Sequence, residues 1–218
     1  MQLSLFNRLK KQLHRDIASL QDEVVDIVYS IVPEAILHGG TALWRCYAGN
    51  RFSEDLDFYF SLDKKFRTEL ESVLESRQLK LIKFKQTQTT VFSKISNAKV
   101  EIRLEVNTLG KKKPVVQFFE KLDGTFMNVL TLSAEDLLLE KMSAYQNRKL
   151  IRDIYDVYFL STKIKMTDAL KESLKNSLKK LPEPVDEPNL KTIVYSGAIP
   201  NFHQIKQALL YRLGGDQK

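Results

Sequence analysis

Two aspartates separated by one residue, Asp55 and Asp57, are the side chains of this sequence best suited to chemistry. They open segment 55–60, in which apolar residues alternate with polar ones as on a β-strand. Residues i and i+2 of a strand point to the same face, with Cα atoms about 6.5 to 7 Å apart. Two carboxylates held in this way repel each other unless a cation neutralises them. Because oxygen ligands suit Mg²⁺ or Mn²⁺, we predict that both aspartates bind such an ion.

Taken alone, the pair is more typical of the solvated face of an edge strand. The preceding segment favours chemistry, because Gly39, Gly40 and Thr41 stand at a predicted strand-to-helix junction. Glycines let the main chain approach a phosphate closely, and a helix N-terminus offers free N–H groups to an anion. We expect Thr41 to cap this helix, and Arg51 and Ser53 to add a cation and a second hydroxyl. Together these residues predict a site for a nucleoside triphosphate.

A third carboxylate is expected, since in-line phosphoryl transfer gains from two metal ions or from a base near the nucleophile. Glu101 and Glu105 lie on one face of the predicted strand 100–106. Arg103 lies between them on that face, so a surface ladder of charges is the alternative. We favour Glu105 as the third catalytic acid and metal ligand, and the sequence leaves Glu101 open.

A second group of candidates follows in the helical part of the chain. Lys141, Tyr145, Arg148 and Arg152 would form one polar stripe if their helix were continuous. We expect Lys141 and Arg148 to face the acidic sheet, hold the triphosphate and stabilise the charge that builds up in transfer. Asp153 would orient one of these cations or act as a base. An ordinary salt-bridged helix surface is the alternative.

The net charge of +7 and the isoelectric point near 9.3 suit polyanionic partners such as nucleotides, RNA or DNA, and suit equally a basic surface that only aids solubility. Lys171, Lys175 and Lys179 recur at helical spacing and form a basic ridge. This ridge suits an RNA backbone and a solvated helix face equally well.

The alternation of apolar residues predicts a chain in two parts, an α/β part over residues 1–132 and a helical part over 133–218. One amphipathic helix is predicted over residues 3–31. Strands are expected at 35–37 and 55–60, in three runs within 79–107, and near 130. Further helices are expected at 41–48, 64–76, from Ser133 to about 150, and at 151–163, 171–181 and 202–213.

Several classes of protein are disfavoured by the same sequence. No apolar run approaches the roughly 18 to 20 residues of a membrane span, and the first residues lack the apolar core of a signal peptide, so we expect a cytoplasmic protein. A single cysteine, Cys46, permits no internal disulfide, and the three histidines are too scattered for a zinc site.

Two segments of this chain resemble the AbiEii/AbiGii toxin family. The first is HGGTALWRCYAGNRFSEDLDF, which is similar to the family pattern Gly-Gly-Thr-x-Leu followed by Arg-x-Ser-x-Asp-Leu-Asp-Phe. The second is EKMSAYQNRKLIRDIYDVYFL, which is similar to the family block of Lys-x-x-Ala, Arg and Arg-Asp-x-Tyr-Asp-Leu. The resemblance extends over roughly residues 34–162.

The resemblance implies an α+β fold with a polymerase-β-like nucleotidyltransferase core, a mixed sheet with flanking helices, followed by a helical domain that completes the active site. Family members are toxins of type IV toxin–antitoxin systems, and some transfer nucleotides to tRNA 3′ ends. By position, Ser53, Asp55 and Asp57 match the nucleotide and metal motif, Lys141 the motif lysine, and Asp153 the acid of the Arg-Asp block.

The expected activity is transfer of a nucleoside monophosphate from an NTP to an RNA acceptor, the tRNA 3′ end being favoured, with Mg²⁺ or Mn²⁺ as cofactor. A cognate antitoxin is the expected protein partner, and no membrane is expected. Two alternatives remain: a protein side chain as acceptor, and a module that binds nucleotide or RNA without turnover.

Overall fold

A computed structural model describes residues 3–108 and 113–214, in which strands and helices make up the first part and helices dominate the last. The helices are α1 (Leu5–Arg8), α2 (Gln12–Ile31), α3 (Gly39–Cys46), α4 (Phe66–Ser76), α5 (Ala134–Arg148), α6 (Ile151–Ser161), α7 (Asp168–Lys179), α8 (Leu190–Ile193) and α9 (Phe202–Arg212). The strands are β1 (Ile36–His38), β2 (Leu56–Tyr59), β3 (Lys80–Gln86), β4 (Thr90–Ser96), β5 (Glu101–Asn107), β6 (Val115–Glu120) and β7 (Phe126–Thr131).

Within the described residues the seven strands form one mixed sheet in the order β3-β4-β5-β2-β1-β7-β6. The pairs β2–β5 and β1–β7 are parallel, whereas the other neighbours are antiparallel. Helices α2, α3 and α4 pack against the sheet and cover its buried residues. This architecture confirms the predicted α+β fold with a mixed sheet and flanking helices. No helix in residues 3–108 or 113–214 is long and apolar enough to span a membrane.

The chain divides into two compact units. The first unit comprises the described residues up to Ala48 together with Phe52–Leu132, and therefore contains the whole sheet. The second comprises Gly49–Arg51 and the described residues from Ser133 onward. Its first helix, α5, starts as predicted, because the Ser133 side chain accepts a hydrogen bond from the main-chain N–H of Asp136.

The prediction of one helix over residues 3–31 is wrong, because the chain is extended at Leu9 and Lys11 and separates α1 from α2. The guanidinium of Arg15 donates a hydrogen bond to the carbonyl of Leu9 at 2.9 Å, which occupies an acceptor that a continuous helix would need. The break leaves Leu13 exposed on α2 although it fitted the apolar pattern.

Strand β6 was not predicted, because its sequence is apolar on both faces and so lacks the alternation of a half-buried strand. Phe119 is buried against the first unit's core, whereas Val116 and Phe118 are more than 60% exposed. The predicted strand near residue 130 is confirmed as β7, the partner of β6.

Candidate active site

The glycine turn between β1 and α3 holds the side chain of Asp57. Gly39 has a φ of +73°, a left-handed conformation that favours glycine. A Cβ atom on Gly39 would lie 2.1 Å from Asp57 Oδ2, so the carboxylate occupies space that any side chain here would fill. Asp57 therefore lies directly against the first residue of α3, where a helix N-terminus attracts negative charge.

The prediction that Thr41 is the N-cap of α3 is wrong, because the helix already begins at Gly39 with His38 as its capping residue. The Thr41 hydroxyl donates instead to the carbonyl of Asp55 at 2.5 Å. The main chain of Ser53 is also fixed, because its carbonyl accepts a hydrogen bond from Gln21 at 2.9 Å. Both bonds hold the segment that leads into β2 and so set the position of Asp55 and Asp57.

The parallel pairing of β2 with β5 brings the predicted third acid next to the pair. Asp57 is the register partner of Glu105, and Leu56 is the partner of Leu104. Residues paired in this way point to the same face of the sheet. The Asn107 amide lies 3.5 Å from the Glu105 carboxylate. We call this surface, with Asp55, Asp57 and Glu105, the carboxylate face.

Arg103 binds Asp55 on the same face. Its guanidinium donates to both carboxylate oxygens, at 2.9 Å from Nε and 2.5 Å from Nη2. The hydrogen bonds from Arg103 to Asp55 raise the pKa of Arg103, and the charges of Asp55, Asp57 and Glu105 raise it further. Arg103 is thus a counter-charge of this acidic surface, a role that the sequence analysis did not assign to it.

Glu101 occupies a different place on β5. Its carboxylate accepts a hydrogen bond from Lys94 at 3.2 Å, and its register partner is Ser96 on β4, not a residue of β2. Because only Glu105 is paired with an acid of β2, the geometry favours Glu105 over Glu101 as the third carboxylate. That role stays a prediction.

The donor chemistry of the carboxylate face fits a hard divalent cation, since Asp55, Asp57 and Glu105 offer only oxygen atoms. In the described part of the chain, however, no three acidic, histidine or cysteine side chains lie close enough together to enclose a metal ion. Arg103 explains this at Asp55, because it binds both oxygens of that carboxylate. A cation that used Asp55 would take the place of this guanidinium.

Sequence reasoning missed two aromatic neighbours of Asp57. His38 is the register partner of Asp57 on β1, and its ring stacks on Tyr59 with centroids 3.8 Å apart. The signal was present in the sequence, since Tyr59 continues the alternation that places Asp57 on the carboxylate face. The stacked pair places two aromatic rings beside these acids.

Four further candidates lie in the second unit, in a network centred on Asp156. Arg51, predicted to bind nucleotide, contacts Asp156 with Nε and Nη2, each at 2.5 Å. Lys141 Nζ lies 3.0 Å from Asp156 and 3.8 Å from Asp153. Arg148 donates to both oxygens of Asp153, at 2.6 and 2.7 Å. Asp153 thus contacts both cations, one of which it was expected to orient, and its role in the site stays a prediction.

Burial determines what this network can do. The side chains of Arg51 and Lys141 are 3% and 8% exposed, whereas that of Arg148 is 45% exposed. Burial of Asp156 opposes its charged form, but Arg51 and Lys141 outweigh this and lower its pKa. The pKa of Arg51 is raised, because the charge of Asp156 outweighs the desolvation of the guanidinium. Arg51 is therefore a buried structural cation, and Arg148 is the arginine of this network that reaches solvent.

The helix is not continuous from Lys141 to Arg152, so the condition for a single polar stripe is not met. Helix α5 ends at Arg148, because Lys149 adopts the left-handed conformation with a φ of +56°, and Arg152 belongs to α6. Tyr145 is fully buried, and its hydroxyl donates to the carbonyl of Pro182 at 2.5 Å.

Solved structures share this fold. The chain is 21% identical to JHP933 from Helicobacter pylori, with a TM-score of 0.57 over 90% of this chain and 88% of that one. It is 14% identical to the nucleotidyltransferase toxin MenT4 from Mycobacterium tuberculosis, with a TM-score of 0.61 over 94% and 85% of the two chains. ANT(2″)-Ia, solved in complex with adenylyl-2″-tobramycin, is 13% identical, with a TM-score of 0.50 over 76% and 98%. No curated protein sequence matches the chain significantly.

The fold is therefore that of the nucleotidyltransferases. The family described as nucleotidyl transferase AbiEii toxin, type IV TA system, matches residues 32–204, which include most of both units and every candidate residue above. The chain belongs to this family of nucleotidyltransferase toxins, which confirms the resemblance seen in the sequence.

Substitution of Asp156 by Asn is expected to destabilise the protein by about 3 to 5 kcal/mol, because it leaves Arg51 buried without its counter-charge. Because folding lowers the pKa of Asp156, its ionised carboxylate stabilises the native state at pH values above its ordinary pKa of 3.8. This stability is lost as the pH falls through the lowered pKa. Urea unfolding between neutral and acidic pH should show a flatter acid dependence in the variant. Asp168→Asn, which removes an exposed pair with Lys171, is the control. Equal stability of the two variants contradicts this account.

Substitution of Gly39 by Ala is expected to weaken NTP binding and to lower the unfolding free energy, because the new Cβ collides with Asp57. The positive φ alone costs about 1 to 2 kcal/mol. Gly214→Ala is the matched control, since Gly214 has a φ of +77° and nothing within 4 Å of the added atom. Thermal unfolding and nucleotide titration of both variants test this. The steric account fails if the two variants lose the same stability and bind NTP alike.

Proposed function

We propose that this protein transfers a nucleoside monophosphate from an NTP to an RNA acceptor, the 3′ end of tRNA, in a reaction that needs Mg²⁺ or Mn²⁺. Membership of the AbiEii family supports the reaction type. The observation that carries the proposal is the register that sets Asp57 beside Glu105 on β5 and against Gly39 at the start of α3. Since NTPs and tRNA are cytoplasmic, we place the reaction in the cytoplasm and propose a cognate antitoxin as the partner that restrains it.

The triphosphate binds at the turn between β1 and α3 in this proposal. Gly39 and Gly40 bring the main chain close to the phosphates, and the N-terminus of α3 adds its partial positive charge. Arg148 is assigned to neutralising the triphosphate, because it is the exposed arginine of the second unit's network. Lys141 is assigned to holding Asp153 and Asp156 in place, since it is buried between them.

The transfer step exchanges one bond to phosphorus for another. The terminal hydroxyl oxygen of the acceptor attacks the α-phosphorus, and the bond from that phosphorus to the β-phosphate oxygen breaks. Pyrophosphate leaves with the bonding electrons, and the hydroxyl proton passes to a carboxylate oxygen of Glu105. Glu105 is assigned this role because it is the acid paired with Asp57.

Asp55, Asp57 and Glu105 would hold the divalent cation, which when bound neutralises the charge of the triphosphate and favours in-line displacement. Arg103 competes with such a cation, because it neutralises the same carboxylates while it is bound to Asp55. We propose that its guanidinium leaves Asp55 when the site is loaded, and that Asp55 then becomes a ligand.

The acceptor separates this proposal from its two alternatives. Incubation of the protein with each labelled NTP, total RNA and total cell protein places the label on RNA if the proposal is right. Label on protein alone would support nucleotidylation of a side chain. Binding of NTP without label on either would support a module without turnover, and sequencing of tRNA 3′ ends after expression identifies the modified nucleotide.

Substitution of Asp57 by Asn is expected to reduce transfer by at least about a hundredfold and to abolish growth inhibition in a bacterial host, because it removes charge at the centre of the site. The thermal transition should hardly change, since Asp57 is only half-buried. Glu101→Gln is the matched control on the same face, and it should retain activity because Glu101 pairs with Lys94. Full toxicity of the Asp57→Asn variant would end the enzymatic proposal.

Substitution of Arg103 by Gln is expected to tighten the binding of Mn²⁺ without nucleotide by roughly fivefold, because a half-exposed ion pair is worth at most about 1 kcal/mol. Titration calorimetry with Mn²⁺ measures this directly. Lys94→Gln, which removes the neighbouring pair with Glu101, should leave the affinity unchanged. Weaker Mn²⁺ binding in the Arg103→Gln variant would show that Arg103 does not compete for Asp55.

A further inference from the structure

The carboxylate face continues across the sheet to its edge at β3. Lys85 is the register partner of Phe92, and Phe92 is the partner of Glu105, which pairs with Asp57. These four residues form one row across β3, β4, β5 and β2. Because register partners point to the same side of a sheet, the lysine shares a surface with the acids.

A second row runs parallel to the first. Lys83 on β3 is the partner of Lys94 on β4, and Lys94 is the partner of Arg103 on β5. Arg103 in turn binds Asp55. Lys80, the partner of Ser96, adds a third lysine to this side of β3. We call Lys80, Lys83 and Lys85 the β3 lysines.

Among the described residues, the basic ones near the acids form ion pairs, whereas the lysines at the β3 edge of the sheet do not. Arg103 pairs with Asp55, and Lys94 pairs with Glu101. The β3 lysines are exposed, and none of them forms an ion pair with another described residue. The acidic centre therefore gives way to an unneutralised basic border within the same surface.

Phe92 lies between the two regions. Its ring is 5.4 Å from the Lys83 ammonium and 5.8 Å from the Arg103 guanidinium. Phe92 also lines a cavity of about 320 Å³ that extends to Asp55. Cations around an aromatic ring are what single-stranded nucleic acids use, since the bases stack on the ring and the phosphates contact the cations.

We infer that the β3 lysines and Phe92 bind the acceptor RNA as a single strand and direct its 3′ end along the two rows to Asp57. This inference rests on the proposed function and adds the surface that recognises the acceptor. Strand β3 lies three strand spacings from β2, roughly 14 Å. A chain of several phosphates spans that distance with one end at Asp57, whereas a single NTP bound at the glycine turn leaves the edge uncovered.

The basic ridge on α7 competes with β3 for this role. Lys171 pairs with Asp168 at 3.5 Å and Lys175 with Glu172 at 3.6 Å, so acids of the same helix offset part of its charge. The β3 lysines have no such acids on their own strand. The comparison favours β3, and it makes α7 a control with the same change in charge.

The test compares Lys83→Gln/Lys85→Gln with Lys171→Gln/Lys175→Gln. Fluorescence anisotropy measures the affinity of each variant, without NTP, for a 5′-labelled single-stranded RNA of about twelve nucleotides. The β3 variant should bind on the order of tenfold more weakly at low salt, and the slope of log affinity against log salt should fall by about 1.4, about 0.7 for each lost phosphate contact. The α7 variant should bind like the wild type, and a ribose-labelled NTP should bind equally to all three proteins.

Three results would overturn the inference. In the first, the β3 variant keeps its RNA affinity but self-associates, which would show that the lysines only protect the sheet edge from pairing with another strand. In the second, the α7 variant loses RNA affinity and the β3 variant does not, which would show that the basic ridge on α7 is the binding surface. In the third, the β3 variant binds NTP more weakly and RNA as tightly as the wild type, which would show that these lysines bind the nucleotide. The affinity of the wild type for RNA does not depend on turnover, so a failure of transfer to RNA would be recognised separately.

Discussion

The candidate site depends on the register between the parallel strands β2 and β5. That register sets Asp57 opposite Glu105 and places Arg103 within reach of Asp55, so it fixes both the acids and their counter-charge. A shift of either strand by one residue would turn its members of this group to the buried face of the sheet. Leu56 and Leu104 prevent the shift, since both are completely buried on the other face. Core packing on one side of the sheet thus determines the chemistry on the other.

The two units handle charge in different ways. On the carboxylate face, Asp55 is 24% and Arg103 is 44% exposed, so solvent weakens their pairing and the guanidinium can be exchanged. In the second unit, Asp156 is fully buried between Arg51 and Lys141, where the loss of either partner would leave a charge without compensation. The first arrangement suits a surface that exchanges ligands, and the second suits a permanent scaffold.

The sequence predicted what local patterns control. Alternation identified β2 to β5, and the spacing of Asp55 and Asp57 led to the prediction of a nucleotide site before any fold was known. Strand order could not be predicted, because β5 lies beside β2 through contacts remote in sequence. The cap of α3 was misplaced because Gly39 starts the helix two residues before Thr41. Asp156 escaped notice for the same reason as strand order, since its partner Arg51 lies 105 residues away.

Residues Gly49–Arg51 belong to the second unit although they lie between α3 and β2 of the first. The chain therefore leaves the first unit after α3, contributes Arg51 to the ion-pair network of the second unit, and returns to the first unit to form β2. During synthesis Arg51 emerges long before Asp156, so the second unit cannot reach its native packing until residues from both ends of that interval have left the ribosome. A fragment that starts at Ser133 would lack Arg51, so its helices would bury the Asp156 carboxylate without one of its two cations.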